Sequence, residues 1–241
     1  MIIKESRMRP VILYEDKEII VCEKKPGMPV QSDRSLDMDL LNQIRNYLHE
    51  QAEQQELYVG LVHRLDRPVG GVMVFAKTPQ AAKELSRQVQ AREIKKEYLC
   101  IVEKDLTEQI GAGSVTLEDH MVKDAKNNIS KIVPSTQKGS KRASLSYEVL
   151  EVCDGRSLLK VELHTGRHHQ IRLQMATHVA GLLGDRKYNA KGSTVPGNTG
   201  VALYAYALTF AHPKTKKMMC IKSLPKGTIW EAFCGISSRN L

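Results

Sequence analysis

The sequence LVHRLDRPVGGVMVFAK, residues 61–77, is the stretch around which the rest of the chain can be organised. It is mostly apolar, but two arginines bracket Asp66 at its centre, and the pair Gly70-Gly71 follows. Glycines at this place permit a tight turn and a close approach of backbone. The apolar run at residues 72–76 predicts a buried strand directly after that turn.

Asp66 is the first candidate for chemistry. A carboxylate in a turn between apolar segments lies at the edge of a core, where losing water costs free energy unless a cation accompanies it. A neighbouring arginine would hold Asp66 ionised, which is one way to prepare a nucleophile or a general base. Aspartate before Arg-Pro is also a common turn residue, so the stretch alone leaves both interpretations open.

The remaining pattern predicts strand pairs interrupted by a few helices. Thr78-Pro79 has the features of a helix start, and Asp154-Gly155 those of a hairpin turn between two alternating runs. A strand pair is predicted within residues 11–30, a strand over 94–102, and a helix from about 166 to 180. This order favours an α+β fold with a mixed, largely antiparallel central sheet, flanking helices and loops. We expect one domain over residues 1–241.

The charge of the chain indicates a polyanionic partner. The 241 residues include 36 Lys and Arg against 27 Asp and Glu, a net charge of +9. We expect nucleic acid before membrane, because no basic amphipathic helix, signal peptide or long apolar run accompanies the charge. Five widely spaced cysteines without a C-x-x-C pair are typical of reduced core thiols in a cytoplasmic protein.

A basic interval over residues 122–142 is rich in loop-forming residues. Its cations are Lys123, Lys126, Lys131, Lys138, Lys141 and Arg142. Two interpretations remain open: a mobile flap that covers an RNA phosphate backbone, or a solvated charged surface.

Other chemistries fit the sequence less well. His164, His168 and His169 lack the H-E-x-x-H spacing of a zinc site, and no G-x-S-x-G motif indicates a serine hydrolase. Asp185 is the nearest candidate for a second acidic group, as a glycosidase would need, but its sequence context favours a turn residue.

Four motifs then resemble one family, the RluA-type RNA pseudouridine synthases. HRLDRPVGGVMVFAK (63–77) resembles the catalytic motif, and IKKEYLCIV (94–102) is similar to the Lys-x-Tyr strand motif. GRHHQIRLQM (166–175) and GDRKY (184–188) resemble the third motif and the turn after it, in the family's order and spacing. The resemblance implies an isomerase that converts a uridine of ribosomal or transfer RNA to pseudouridine with no cofactor and no metal.

The resemblance also implies a role for individual residues. Asp66 would be the nucleophile, and Arg172 would pair with Asp66 and hold it ionised. Tyr98 would pack against the extruded base and serve in removal of the C5 proton. Arg64 would enter the RNA stack in place of the flipped nucleotide. Further substrate contacts would be His63, Arg67, Arg167, His169 and Gln170. A non-catalytic RNA-binding or ribosome-assembly factor of the same fold is the alternative.

The sequence departs from the family pattern at four positions. Val69 and Gly70 stand where Thr and Ser are frequent, His168 where Thr or Ser is frequent, and Gln174 where His is common. We also expect the chain to lack the small N-terminal RNA-binding domain of longer relatives. The catalytic domain, with the 122–142 interval, would then grip the RNA by itself. Nothing in the sequence demands more than a monomer.

Overall fold

A computed structural model describes residues 9–32, 37–51, 57–189, 192 and 200–233 of the chain. The elements in chain order are β1 Val11–Glu15, β2 Ile19–Lys24, α1 Leu40–Gln51, β3 Gly60–Leu61, β4 Gly70–Ala76, α2 Pro79–Ala91, β5 Lys95–Val102, a 3₁₀ turn Thr107–Gln109, β6 Val115–Asp124, β7 Ile129–Val133, β8 Lys141–Cys153, β9 Arg156–Leu163, α3 Gln170–His178, β10 Leu203–Ala211, β11 Met218–Lys222 and α4 Thr228–Glu231. Many strands with few helices confirm the predicted α+β class. None of the helices within these residues is long and apolar enough to cross a membrane.

The chain forms two compact units. The first comprises residues 1–94 and 207–223, and the second comprises residues 95–206 and 224–241. Strand β10 begins in the second unit and ends in the first.

In the first unit, β2 pairs antiparallel with β1 and with β4, which confirms both the predicted strand pair and the buried strand after the glycines. Every residue of β4 is buried. Lys24 at the end of β2 lies opposite Gly71, whose φ of 128° is in the region that favours glycine. The short β3 pairs with the other end of β4, so both chain segments next to the Asp66 turn are fixed to the same strand.

Helix α2 covers the apolar side of these strands. Thr78 caps its N-terminus by accepting a hydrogen bond from the Ala81 backbone N–H at 3.1 Å, and Pro79 occupies the first helical position, as predicted. Ala81 and Leu85 join the strand residues in one buried apolar cluster. Burial of this helix face is what orients the strands that lead into the Asp66 turn.

In the second unit the strand order is β5-β9-β8-β6-β7, and each of these neighbours pairs antiparallel. The β8–β9 connection confirms the hairpin prediction, because Asp154 and Gly155 both have positive φ, at 50° and 70°. Two consecutive positive φ values are characteristic of the type I′ turn, whose twist matches that of the flanking strands.

The interval 122–142 contains the end of β6, all of β7 and the start of β8, joined by the turn residues 125–128 and 134–140. The turns agree with the loop-forming composition, and contact of this interval with an RNA phosphate backbone stays a prediction. Strand β6 continues to Asp124, β7 follows after a short turn, and β8 already starts at Lys141. Alternation of polar and apolar residues was hidden because many of these side chains, including the lysines, face solvent. The basic residues therefore lie exposed on paired strands and the two turns that join them.

Helix α3 starts later than the sequence indicated, at Gln170 instead of near residue 166. His169 precedes it with φ 54°, and the Gln170 carboxamide oxygen accepts hydrogen bonds from the Arg167 N–H and the Thr165 hydroxyl. These bonds replace the first helical turn. Residues 166–169 therefore form a loop before the helix, and the hydrogen bonds of the Gln170 side chain fix its conformation.

The cysteines divide between core and surface. Cys22 and Cys100 are buried, Cys153 is half-buried, and Cys220 is exposed, so the expectation of core thiols fails for Cys220. Cys234 lies outside the described residues.

Candidate active site

In the first unit, Asp66 opens a tight turn at the point where the chain enters β4. Its carbonyl accepts a hydrogen bond from the Val69 N–H at 3.0 Å, and its side chain is half-buried. The turn is tied to the segment after β2, because the Arg67 carbonyl accepts a hydrogen bond from the Gly27 N–H at 2.9 Å. The segment after β2, far away in sequence, thus fixes the backbone directly after the carboxylate.

Lys24 is a candidate site residue that the sequence analysis missed. It is fully buried, and its ammonium donates to the carbonyls of Met28 at 2.7 Å, Arg67 at 3.0 Å and Lys25 at 3.1 Å. Burial lowers the pKa of Lys24 to about 7, while the nearby carboxylate of Asp66 acts to raise it. Its only signal in the sequence is a lysine at the end of an apolar strand, directly before a turn.

The three other predicted site residues of this turn have different surroundings. The Arg67 guanidinium donates to the Gly27 carbonyl at 3.1 Å and forms an ion pair with Asp37, so it helps to join the two segments. His63 accepts a hydrogen bond from the β4 backbone through Nε2 at 3.2 Å. The Arg64 side chain is exposed, and the described residues offer it neither a hydrogen bond nor an ion pair.

In the second unit, Arg172 of α3 forms a buried bidentate ion pair with Asp185. Its Nε and Nη2 lie 2.7 and 2.6 Å from the two carboxylate oxygens. Burial alone would raise the pKa of Asp185, but the Arg172 guanidinium and two backbone N–H groups outweigh it and hold that pKa below its usual value. Asp185 is therefore more than the turn residue that its sequence context favoured.

The Asp185 turn depends on the glycine before it. Gly184 has φ 77°, and a Cβ there would lie 2.6 Å from the Gly200 carbonyl oxygen. Asp185 then accepts the backbone N–H groups of Lys187 and Tyr188 at 2.9 and 3.2 Å, which turns the Tyr188 ring toward Arg172, with 5.4 Å between guanidinium carbon and ring centroid. The pairing of Arg172 with Asp66 stays a prediction.

Tyr98 lies on β5, where only 7% of the residue is exposed. Strand geometry places Lys96 on the same face, two residues earlier. Lys96 is half-buried, and burial lowers its pKa. The Lys-x-Tyr motif thus presents an ammonium and a phenol on one side of the strand.

The predicted RNA-binding residues in and next to the loop before α3 differ in how many of their hydrogen-bonding groups are already used within the protein. All four hydrogen-bonding positions of the Gln170 carboxamide are used, by Thr165, Arg167, Ser144 and Gln174, which favours a structural role. The Arg167 Nε donates to the Arg142 carbonyl at 2.9 Å. Its two terminal nitrogens make no hydrogen bond with the described residues.

His169 is buried, and its surroundings disfavour the charged form of its ring. Its Nδ1 lies 2.9 Å from the Tyr188 hydroxyl, and its ring stacks on His168 at 3.7 Å between centroids. Burial, followed by the positive charge of Arg172, lowers the pKa of His169 to about 3. An uncharged ring at this place can support Tyr188 but cannot neutralise a phosphate.

His168 and Gln174, two of the residues that differ from the family pattern, contact strand β6 and the β6–β7 hairpin. The His168 ring lies 3.0 Å from the Ser130 hydroxyl and 3.1 Å from the Asn128 carboxamide, and Gln174 donates to Asp119 at 2.7 Å. These contacts fasten β6 and the hairpin to the loop and helix that carry Arg172.

Comparison with known proteins identifies the class. The model of the RNA pseudouridylate synthase family matches residues 18–177, which include Lys24, Asp66, Tyr98 and Arg172. The chain belongs to this family.

Individual relatives agree with this assignment. An uncharacterized RNA pseudouridine synthase of Aquifex aeolicus is 34% identical, over 86% of this chain and 67% of its own length. Ribosomal large subunit pseudouridine synthase D of Nitrosomonas europaea is 32% identical, over 88% of this chain and 61% of its own length. The chain thus spans about two thirds of these relatives. The solved structure of human RNA pseudouridylate synthase domain containing 4, 22% identical, matches the fold with a TM-score of 0.71 over 92% of this chain and 90% of that one.

Proposed function

We propose that this chain isomerises uridine to pseudouridine in RNA. The observation that supports it best is the construction around Asp66. A half-buried carboxylate begins a turn whose backbone is held by Gly27 and by the buried ammonium of Lys24. Such fixation keeps a nucleophile aimed before the substrate arrives, which lowers the entropic cost of the reaction. Membership of the pseudouridylate synthase family supports the reaction class.

In this proposal Asp66 attacks the target uridine, the glycosidic bond breaks, and the base turns. A carbon–carbon bond then forms at C5 of the uracil, the bond to Asp66 breaks and restores the free carboxylate, and the C5 proton is released to solvent. Tyr98 packs against the base, and Arg172 keeps Asp66 ionised. Arg64 is exposed with no described partner, which suits an arginine that enters the RNA stack when the nucleotide is flipped out.

The substrate we propose is ribosomal RNA. Two of the most similar relatives carry the names ribosomal large subunit pseudouridine synthase D and C, at 32% and 28% identity. Transfer RNA is the competing substrate, and mapping pseudouridines in total RNA from cells with and without the gene decides between them. A cytoplasmic location follows from either substrate in a bacterial cell.

The test is release of tritium from RNA that contains C5-labelled uridine, with Asp66→Asn beside the wild type. We expect the wild type to release tritium, and Asp66→Asn to release none while its RNA affinity stays within twofold, because the amide cannot act as a nucleophile. Asp154→Asn is the matched control, since this exposed turn residue has a positive φ that asparagine also adopts. A wild type that binds RNA without releasing tritium would indicate the non-catalytic alternative, and normal turnover by Asp66→Asn would exclude the nucleophile role.

A further inference from the structure

Lys24 is buried and Lys96 is half-buried, and the two lysines differ in how their ammonium groups are satisfied. Lys24 donates all three of its hydrogen bonds to backbone carbonyls. The Lys96 ammonium forms no hydrogen bond and no ion pair with any residue that the structure describes. A partly dehydrated ammonium without protein acceptors raises the free energy of the folded state, so the stability of the fold alone does not explain a lysine at this position.

Other lysines on β5 and β9 do have carboxylate partners. On the opposite face of β5, Glu97 is buried and pairs with Lys95 at 3.2 Å and with Lys160 at 3.4 Å. Lys96 points away from this network because alternate residues of a strand face opposite sides. Its lack of an acceptor is therefore specific to the face that it shares with Tyr98.

The position of the Lys96 ammonium is defined by the loop before α3. Its Nζ lies 4.0 Å from where a Cβ on Gly166 would be, so the absence of a side chain at Gly166 leaves room beside the ammonium. The next residue is Arg167, whose terminal guanidinium nitrogens also lack an acceptor among the described residues. Two cations with free donors thus occur on adjoining segments of one unit.

We propose that Lys96 is a binding residue for an RNA phosphate, the one next to the nucleotide whose base packs on Tyr98. Two residues along a strand span roughly 6.6 Å, a distance of the same order as that between a nucleobase and the phosphate of its own nucleotide. A phosphodiester is anionic at neutral pH, so its oxygens accept hydrogen bonds from the Lys96 ammonium. These oxygens take the place of the water that partial burial removed. The inference rests on the proposed function, because it takes RNA as the ligand.

This assignment predicts opposite effects of one substitution on stability and on binding. Lys96→Met keeps the aliphatic stem and removes the dehydrated charge, so we expect the thermal unfolding midpoint to stay the same or rise. A lysine that merely supports the fold would show the reverse, a lower midpoint. RNA affinity should fall about tenfold, the usual cost of losing a hydrogen bond to a charged group.

The experiment measures affinity for an unmodified transcript of large-subunit ribosomal RNA across a range of salt concentrations. All variants carry Asp66→Asn so that no turnover occurs during the measurement. We expect Lys96→Met to reduce the slope of log affinity against log salt by about 0.7, the value for one phosphate contact in single-stranded RNA. Lys83→Met is the matched control: Lys83 is exposed on α2 and carries the same charge, so its removal should leave the slope almost unchanged.

Two results would overturn the assignment: an unchanged salt slope with Lys96→Met, or a lower unfolding midpoint with unchanged affinity. Lys96→Arg provides a further check, because a retained cation should keep the slope even if the larger group weakens binding. The proposed function fails separately, through the absence of tritium release by the wild type. A wild type that binds the transcript without releasing tritium would leave the phosphate contact standing and the isomerase activity refuted.

Discussion

Lys24→Met is the substitution whose effect can be worked out most fully from this structure. It keeps the buried stem and deletes an ammonium that donates to three carbonyls. Hydrogen bonds to charged groups are worth about 1.5–3 kcal/mol each, so the gross loss is roughly 4.5–9 kcal/mol. The Met28 carbonyl suffers most, because it receives no other hydrogen bond from the described residues.

A second term opposes this loss. The pKa of Lys24 falls from 10.5 to about 7, chiefly because burial penalises the charge. At about 1.4 kcal/mol per pH unit, holding the ammonium charged costs the folded state roughly 5 kcal/mol, which methionine would relieve. The difference leaves a net destabilisation by Lys24→Met of about 2 kcal/mol at neutral pH. Product formation should fall tenfold or more, because the Arg67 carbonyl beside Asp66 loses one of its two hydrogen bonds and is held less firmly.

Urea unfolding at several pH values tests this reasoning. A lysine whose folded-state pKa is depressed contributes stability above its unfolded pKa, and the contribution is lost as the pH falls through the folded value. The free energy of unfolding of the wild type should therefore rise relative to Lys24→Met by roughly 1.4 kcal/mol per pH unit between pH 7 and 10. Lys25→Met, which removes an exposed charge next to it, should show no such slope. A constant difference between wild type and Lys24→Met would refute the argument.

Two further predictions concern the second unit. Asp185→Asn should destabilise the fold by about 3–5 kcal/mol, because it leaves the buried Arg172 guanidinium without a counter-charge. Since the pKa of Asp185 is lowered from 3.8, the difference in unfolding free energy between wild type and variant, measured in urea, should shrink as the pH falls below that value. A difference independent of pH would contradict the ion-pair account. The triple variant Lys138→Ala, Lys141→Ala, Arg142→Ala should weaken RNA binding and reduce its dependence on salt concentration in a filter-binding assay. An unchanged slope of log affinity against log salt would show that the interval 122–142 does not contact phosphate.

Elements with a local signal could be predicted from the sequence. The Thr78-Pro79 cap, the Asp154-Gly155 turn and the all-apolar β4 each depend on a few adjacent residues, and the structure confirms all three. Asp66 also stood out locally, as a carboxylate between arginines inside an apolar stretch. These features need no knowledge of what packs against them.

The missed features depend on partners distant in sequence. Lys24 is recognised as structural only when Arg67, 43 residues later, provides its acceptor. Asp185 acquires its role from Arg172, 13 residues earlier, across the end of a helix. The late start of α3 depends on the Gln170 side chain, which bonds to Thr165 and Ser144 and so competes with the backbone.

Gly184 offers a simple criterion for reading other sequences of this kind. Any side chain at that place would require the backbone near Gly200 to retreat, because the space for even one methyl carbon is already taken by a carbonyl oxygen. A genome-derived sequence that keeps the aspartate after it but replaces the glycine should therefore have a rebuilt turn and a differently held guanidinium. Such sequences are the first to examine when a homologue is suspected of having lost its enzymatic activity.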